Sequence, residues 1–226
     1  MDNIISTKQD DKKELKRKAI LKAATDVFSK KGYIEASIKD ITNEASISVG
    51  SFYSYFNNKE EILIQIFDEI SNMSMKAASE SSKALKDNVI EQFTSSMTSA
   101  ICIYVKNKEF AKILFVKSMG INELFEKKRS AILDRTTIYL KMLLEHLNKK
   151  HLCIIDSIEI TSVLLTHSIF GVITNWLDER LNCSIKDMIF SLCTYHLRAL
   201  NIDYTAENIN KYIANVLKSD YKELLN

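Results

Sequence analysis

Apolar residues recur along this chain at helical spacing. Ile20, Ala23, Ala24, Val27 and Phe28 fall at i, i+3, i+4, i+7 and i+8, one stripe of a helix over about 8–31. Gly32 follows as a residue that ends helices well. In S-I-K-D-I-T-N-E-A, Ser37 and Asp40 have the spacing of a capping box, and Ile38, Ile41 and Ala45 line one face of a two-turn helix. Ser46 and Ile47 make a short turn. Ser48 is an N-cap for a short helix over about 49–56. Asn57-Asn58 breaks it, and Asn58 can cap a long helix with Glu60 and Glu61 in its first turn. That helix continues through Ile62, Leu63, Ile66, Phe67 and Ile70 to about residue 80. Further helices are expected near 86–106, 108–119, 122–148, 156–180, 184–200 and 205–224, with breaks at Lys106-Asn107, Gly120, 148–155, Asn182-Cys183 and 201–204.

The short helix carries Phe52, Tyr53, Tyr55 and Phe56. On a helical wheel Val49, Phe52 and Phe56 share one side and are expected in the core. Gly50, Ser51 and Ser54 fall opposite, a small and uncharged face that lets the backbone approach another surface. Tyr53 and Tyr55 flank it, with hydroxyls placed to reach phosphates. A short helix after a tight turn, presenting such a face, suits the second helix of a helix-turn-helix in a DNA major groove.

Composition agrees with an all-α chain. The 226 residues include no proline and only four glycines, Gly32, Gly50, Gly120 and Gly171. That length suits one or two domains. Net charge is only +2, so any nucleic-acid binding must come from a local patch, such as Lys12, Lys13, Lys16, Arg17, Lys18 and Lys22. Cys102, Cys153, Cys183 and Cys193 form no C-x-x-C, and the first residues are polar and charged. Free thiols in a reducing cytoplasm are expected. Residues 160–177 carry no formal charge, but Thr161, Ser162, Thr166, His167, Ser168, Thr174 and Asn175 are too polar for lipid. A helix buried on several sides, and no membrane association, is expected there.

Residues 15–63 closely resemble the DNA-binding domain of the TetR family of transcriptional regulators. The resemblance rests on I-L-K-A-A-T-D-V-F-S-K-K-G-Y, S-I-K-D-I-T-N-E-A, S-V-G-S-F-Y-S-Y-F and N-K-E-E-I-L together. It implies an N-terminal three-helix helix-turn-helix DNA-binding domain over 1–58. A long helix then joins this to a larger helical dimerisation and ligand-binding domain over 59–226. By the same resemblance Ser37, Lys39, Ser48, Gly50, Ser51, Tyr53, Tyr55 and Lys59 face DNA. Gly50 and Ser51 would lie at bases; Ser37, Lys39, Tyr53, Tyr55 and Lys59 would lie at phosphates. With Ser and Gly outward, the short helix offers no bidentate base reader, so specificity would rest partly on Lys39, on residues before Leu15 and on DNA shape. Two positions depart from the family. Its usual turn glycine is Ser46 here, where a positive φ costs serine more. Its common alanine is Thr42, whose methyl can pack inward.

The remainder matches the family only in helix count and in G-V-I-T-N-W-L. It contains no G-x-S-x-G, G-x-G-x-x-G, Walker A or H-E-x-x-H, and His146, His151, His167 and His196 lack metal-site spacing. His151 and Cys153 share one loop, a weak metal signal. No enzyme activity, cofactor or metal is expected. Most body aromatics suit a core. Phe93, Tyr104, Phe115, Phe125, His167, Phe170 and Trp176 are candidates for lining an apolar pocket. The helices near 156–180 and 184–200 are candidates for a homodimer interface. In the second, Ile185, Met188, Ile189, Leu192 and Ala199 form one apolar stripe and Phe190, Cys193, Leu197 and Leu200 another. The expectation is a homodimeric repressor of double-stranded operator DNA, released by a small apolar or amphipathic effector. The alternative is a helical enzyme or a carrier of lipids or other small molecules that keeps the helix-turn-helix as scaffold.

Overall fold

The computed structural model describes residues 2–83, 85, 88–117 and 123–225, and the side chains of 12–83, 85, 88–117 and 123–224. Among these the regular structure is helical throughout. The helices are α1 (Asp2–Lys31), α2 (Ile38–Glu44), α3 (Val49–Tyr53), α4 (Lys59–Lys83), α5 (Val89–Lys106), α6 (Lys108–Lys112), α7 (Glu123–Lys149), α8 (Ile158–Leu177), α9 (Ile185–Ala199) and α10 (Ala206–Asp220). A π-helical turn, Ile113–Lys117, extends α6, and a 3-10 turn, Lys222–Leu225, follows α10. The break expected at Gly120 lies outside the described residues. The chain forms two compact units, one up to Asp68 and one from Glu69, so the division falls inside α4.

The first unit closes around Ile20, Ala24 and Phe28 of α1, Ile41 of α2, Phe52 of α3, Phe56 beyond it, and Ile62, Leu63 and Phe67 of α4, all buried. Its corners are set by local chemistry. Gly32 ends α1 at φ 80°, its N–H on the Phe28 carbonyl at 2.9 Å. Ser37 and Asp40 form the reciprocal capping box of α2. The α2–α3 corner is a Schellman motif. Ile47 N–H reaches the Thr42 carbonyl (3.0 Å), Ser46 N–H reaches Asn43 (3.1 Å), and Ser46 sits between at φ 55°. Asn58 Oδ1 accepts the Glu61 N–H at 2.8 Å to start α4.

α3 corrects one expectation. It has five residues, and a single turn cannot carry an i, i+3, i+7 seam. Phe52 and Phe56 are buried, the latter beyond the helix, while Val49, the first helical residue, is 45% exposed.

In the second unit α5 is the central helix. It packs on α9 and α10, while α7 packs along α8. Several polar groups inside are hydrogen-bonded: Thr137 Oγ1 donates to Thr166 Oγ1 (3.0 Å), and the Ser81 and Ser99 hydroxyls meet at 2.6 Å. α8 is the second correction. It is long and apolar enough to cross a membrane by length and composition alone, yet in this chain only one side is buried. Ser162, Leu165, Thr166, Phe170, Ile173 and Leu177 face inward. Ile160 (64% exposed), Leu164 (61%), Val163, His167 and Gly171 face out, one helical stripe turned away from α7. On α9 the two expected stripes merge. Met188, Ile189, Leu192, Cys193, Leu197 and Leu200 are all buried, Ile185 and Phe190 half-buried, and Ala199 exposed.

Candidate nucleic-acid interface and effector cavity

The outward face of α3 follows from its burial pattern. Once Phe52 is inside, Gly50, Tyr53 and Ser54 are exposed and Ser51 and Tyr55 half-buried. A Cβ on Gly50 would meet nothing nearer than Ser48 Oγ at 4.0 Å, so the fold does not require glycine there. Ser37, Lys39 and Ser48 are exposed as well. The two cap hydroxyls are committed to the backbone: Ser48 Oγ accepts the Ser51 N–H (3.1 Å), and Ser37 Oγ accepts the Asp40 N–H (3.2 Å) while donating to Asp40 Oδ2 (2.7 Å). The Lys31 ammonium and the Ser37 hydroxyl hold the Asp40 carboxyl well below the usual carboxylate range. The exposed lysines in the middle of α1, Lys12, Lys13, Lys16, Lys18 and Lys22, supply the local basic patch. Arg17 lies among them with its guanidinium 5.2 Å over the Phe56 ring.

Lys59 departs from the pattern. Its ammonium donates to the carbonyls of Tyr33 (2.9 Å), Ile34 (3.0 Å) and Ala36 (3.0 Å), and stands 4.6 Å over the Tyr33 ring.

The second unit encloses a cavity of about 410 Å³. Its lining includes Ser74, Met75, Ala78 and Ser82 of α4, Gln92, Phe93, Ser96, Met97, Ala100, Ile101 and Tyr104 of α5, Thr136, Tyr139, Leu140, Leu143, His146 and Leu147 of α7 with Lys150 just past its end, and Ile169, Phe170 and Ile173 of α8. The volume falls in the range of small-molecule sites, and the walls are mostly apolar with scattered hydroxyls. Burial pushes the Tyr104 hydroxyl up to about 12 against its hydrogen bonds with Ser74 and Ser71, and raises Tyr139 too. Both phenols stay protonated at neutral pH. His146 and Lys150, both exposed, stand at one end of the lining.

Of the candidate pocket residues, Phe93, Tyr104 and Phe170 line this cavity. Phe115 backs it, with its ring centroid 5.0 Å from Phe170 and 5.6 Å from Tyr104. Phe125 is buried but outside the lining. Trp176 borders a separate polar depression with Lys108, Lys112 and Cys183, and donates Nε1–H to the Cys183 carbonyl at 3.3 Å. His167 is exposed on α8, its Nδ1 2.9 Å from the Val163 carbonyl, because positions 166, 170 and 173 take the inward phase. The buried histidine is His196. The α7 stripe Thr136, Leu140, Leu143, Leu147 and Lys150, at i, i+4, i+7, i+11 and i+14, is the signal that would have found the missing wall.

Among the described residues no group of three His, Cys, Asp or Glu is placed to hold a metal. The four cysteines are free. Burial raises the thiols of Cys102, to about 12, and of Cys193 and Cys153.

Residues 20–66 match the pattern of the bacterial regulatory proteins of the tetR family. The fatty acid metabolism regulator protein of Bacillus subtilis (strain 168) is 27% identical over 172 residues, 76% of each chain. The HTH-type transcriptional regulator YhgD of the same organism is 30% identical over 139 residues, 58% of this chain and 68% of that one. The fold is similar to that of the fatty acid degradation regulator FadR from Bacillus halodurans, with TM-score 0.69 and 20% identity over 83% of this chain and 97% of that one. It is likewise similar to FadR from Bacillus subtilis in complex with stearoyl-CoA, with TM-score 0.66 and 20% identity over 80% and 97%.

Proposed function

This chain belongs to the tetR family of bacterial regulatory proteins, and from that premise we propose that it is a cytoplasmic, homodimeric repressor released from its operator by a long-chain acyl effector. Residues 1–58 read the DNA; residues 59–226 bind the effector and pair the subunits. In the first part Gly50 and Ser51 approach base edges, and Lys39, Tyr53 and Tyr55 hold phosphates. Pairing uses the outward stripe of α8, Ile160, Leu164, His167 and Gly171, together with the exposed Tyr195 of α9.

The observation that carries the effector reading is the cavity of about 410 Å³ and its long wall on α7. Thr136 to Lys150 spans about 21 Å of helix at 1.5 Å per residue. A lining that long and apolar suits an extended chain better than a compact ring system, and His146 and Lys150 at one end suit an anionic head. The names of the two fatty-acid regulators among the similar proteins support the same class. α4 connects the two activities. It begins at Lys59 and lines the cavity at Ser74, Met75, Ala78 and Ser82, so a ligand that displaces α4 displaces the DNA-reading helices with it.

Release requires the effector to bind the freed form more tightly than the DNA-bound form. A coupling of about 1–3 kcal/mol, roughly 5- to 150-fold, is typical and is reciprocal. The test measures stearoyl-CoA and stearate affinity with and without saturating operator, the operator being the duplex selected from the region upstream of the gene. Acyl affinity that falls on adding operator supports the reading. Equal affinities reject the acyl compound as effector, and failure to select any duplex rejects the repressor.

A further inference from the structure

A lysine at the first position of a helix is placed against the helix dipole. α4 begins with one, Lys59, where the next residues are Glu60 and Glu61. Its surroundings supply the reason. The three ammonium protons have three acceptors, the carbonyls of Tyr33, Ile34 and Ala36, at 2.9, 3.0 and 3.0 Å. The Tyr33 ring lies 4.6 Å below the charge and packs edge-on against Phe28, at 5.4 Å between centroids.

Those carbonyls belong to the connection that leaves α1 at Gly32 and delivers the chain to Ser37, the cap of α2. Within that connection the backbone supplies one bond of its own, Ala36 N–H to the Gly32 carbonyl at 3.2 Å. The ammonium gathers carbonyls that no helix satisfies and so fixes the path by which α2 sets out. Lys39 stands in the first turn of α2, two residues past the cap.

We infer that Lys59 acts as a positioning residue for DNA binding, holding the 33–36 connection and through it α2, rather than as a phosphate contact. The inference rests on the DNA-binding reading of the first unit. A phosphate oxygen could take a Lys59 proton only by displacing a carbonyl. Arginine replaces lysine well at a phosphate but not in this cradle, because the planar guanidinium spreads its donors in a fork.

The experiment uses the full chain and compares Lys59→Met, Lys59→Arg and Lys39→Ala. Amide hydrogen exchange is followed at residues 33–40 in the free protein, and operator affinity is measured as a function of salt. Both Lys59 variants are expected to exchange faster at 33–40 and to bind operator more weakly, with an unchanged slope of log affinity on log salt. Lys39→Ala is expected to leave exchange unchanged and to lower the slope by about 0.9 per contact. The inference is overturned if Lys59→Arg binds operator like the wild type while Lys59→Met loses about 0.9 of slope per subunit. It is also overturned if exchange at 33–40 is unchanged in Lys59→Met. That second readout needs no DNA, so a wild type that binds no operator would reject the DNA-binding reading and still leave the cradle judged. If Lys59→Met fails to fold, Lys59→Gln, which keeps an amide donor, is judged by the same exchange.

Discussion

The Ser168 hydroxyl on α8 lies 2.7 Å from Nε2 of His196 on α9. The serine donates its one proton to the Leu165 carbonyl at 2.9 Å, so Nε2 carries the imidazole proton and donates to serine. Nδ1 is then a buried acceptor with no hydrogen-bond partner among the described residues. The Phe93 and Tyr195 rings pack beside the imidazole.

The burial of His196 makes stability depend on pH. Burial lowers the His196 pKa from 6.5 to about 4 in the folded chain. The unfolded chain therefore gains a proton near pH 6.5 that the folded chain refuses until near pH 4. The stabilisation is full above pH 6.5 and drains as pH falls towards 4, by about 3 kcal/mol at most. Urea denaturation from pH 7.5 to 4 should show this loss in the wild type and a shallower one in His196→Leu. Parallel curves would assign the acid sensitivity to other groups.

At Ser46, φ is 55°. A left-handed conformation costs an L-residue roughly 1–2 kcal/mol, while glycine adds back some unfolded-state entropy. Ser46→Gly should stabilise the chain by up to about 1 kcal/mol, read as a higher denaturation midpoint. An unchanged or lower midpoint would show that the Schellman corner carries no strain.

The same device recurs at His151, Glu179 and Asn201, each at positive φ after a helix end. This explains both what could be read from the sequence and what could not. Helix starts were legible, because Ser37, Ser48 and Asn58 sit next to the N–H groups they cap. Some helix ends were less legible, because a chain with few glycines lets Ser, His, Glu and Asn take the left-handed position. Glu179 ends α8 several residues before the expected break at Asn182 for that reason. Which residues line the cavity was only partly legible. Periodicity gives a helix its apolar side but not its neighbour, so Phe93, Tyr104 and Phe170 fell on the cavity while Trp176 and His167 fell away from it. Lys59 was assigned to a phosphate by resemblance alone, and its carbonyl acceptors, 23 to 26 residues away in the chain, leave no mark in the local sequence.

Gly50 separates fold from recognition. Its Cβ position is open, and alanine is the better helix former by about 1 kcal/mol in a helix interior. Gly50→Ala should leave the melting temperature equal or higher. At a base edge the added methyl should cost about 1–3 kcal/mol of operator affinity, the size of a single mismatch. Calorimetry and operator titration check the two halves. Undiminished affinity would remove Gly50 from the DNA-reading face.

Leu164 is 61% exposed in the protomer, at the centre of the outward stripe of α8. A stripe this apolar in contact with water calls for a partner surface. Leu164→Glu should leave each subunit folded, since little buried contact is lost, and should convert a dimer into monomers at micromolar concentration. Operator affinity should fall with it, because a monomer holds one half-site only. Sedimentation velocity decides: a monomeric wild type, or a variant that stays dimeric, would move the interface elsewhere.

Ala100 borders the cavity from α5, and its backbone carbonyl accepts the Ser74 hydroxyl at 3.1 Å. Overpacking a filled core costs about 1–3 kcal/mol, but a tryptophan directed into open space escapes most of that penalty. Ala100→Trp should therefore fold and bind operator as the wild type does. It should no longer release operator when stearoyl-CoA is added, because the indole occupies the volume that the acyl chain needs. Fluorescence anisotropy of labelled operator, titrated with stearoyl-CoA, gives both quantities in one experiment. Release at the wild-type concentration would place the effector outside this cavity. Loss of operator binding in the absence of effector would mean instead that the indole acts as the effector does, moving α4 through its contacts at Ser74 and Ala78.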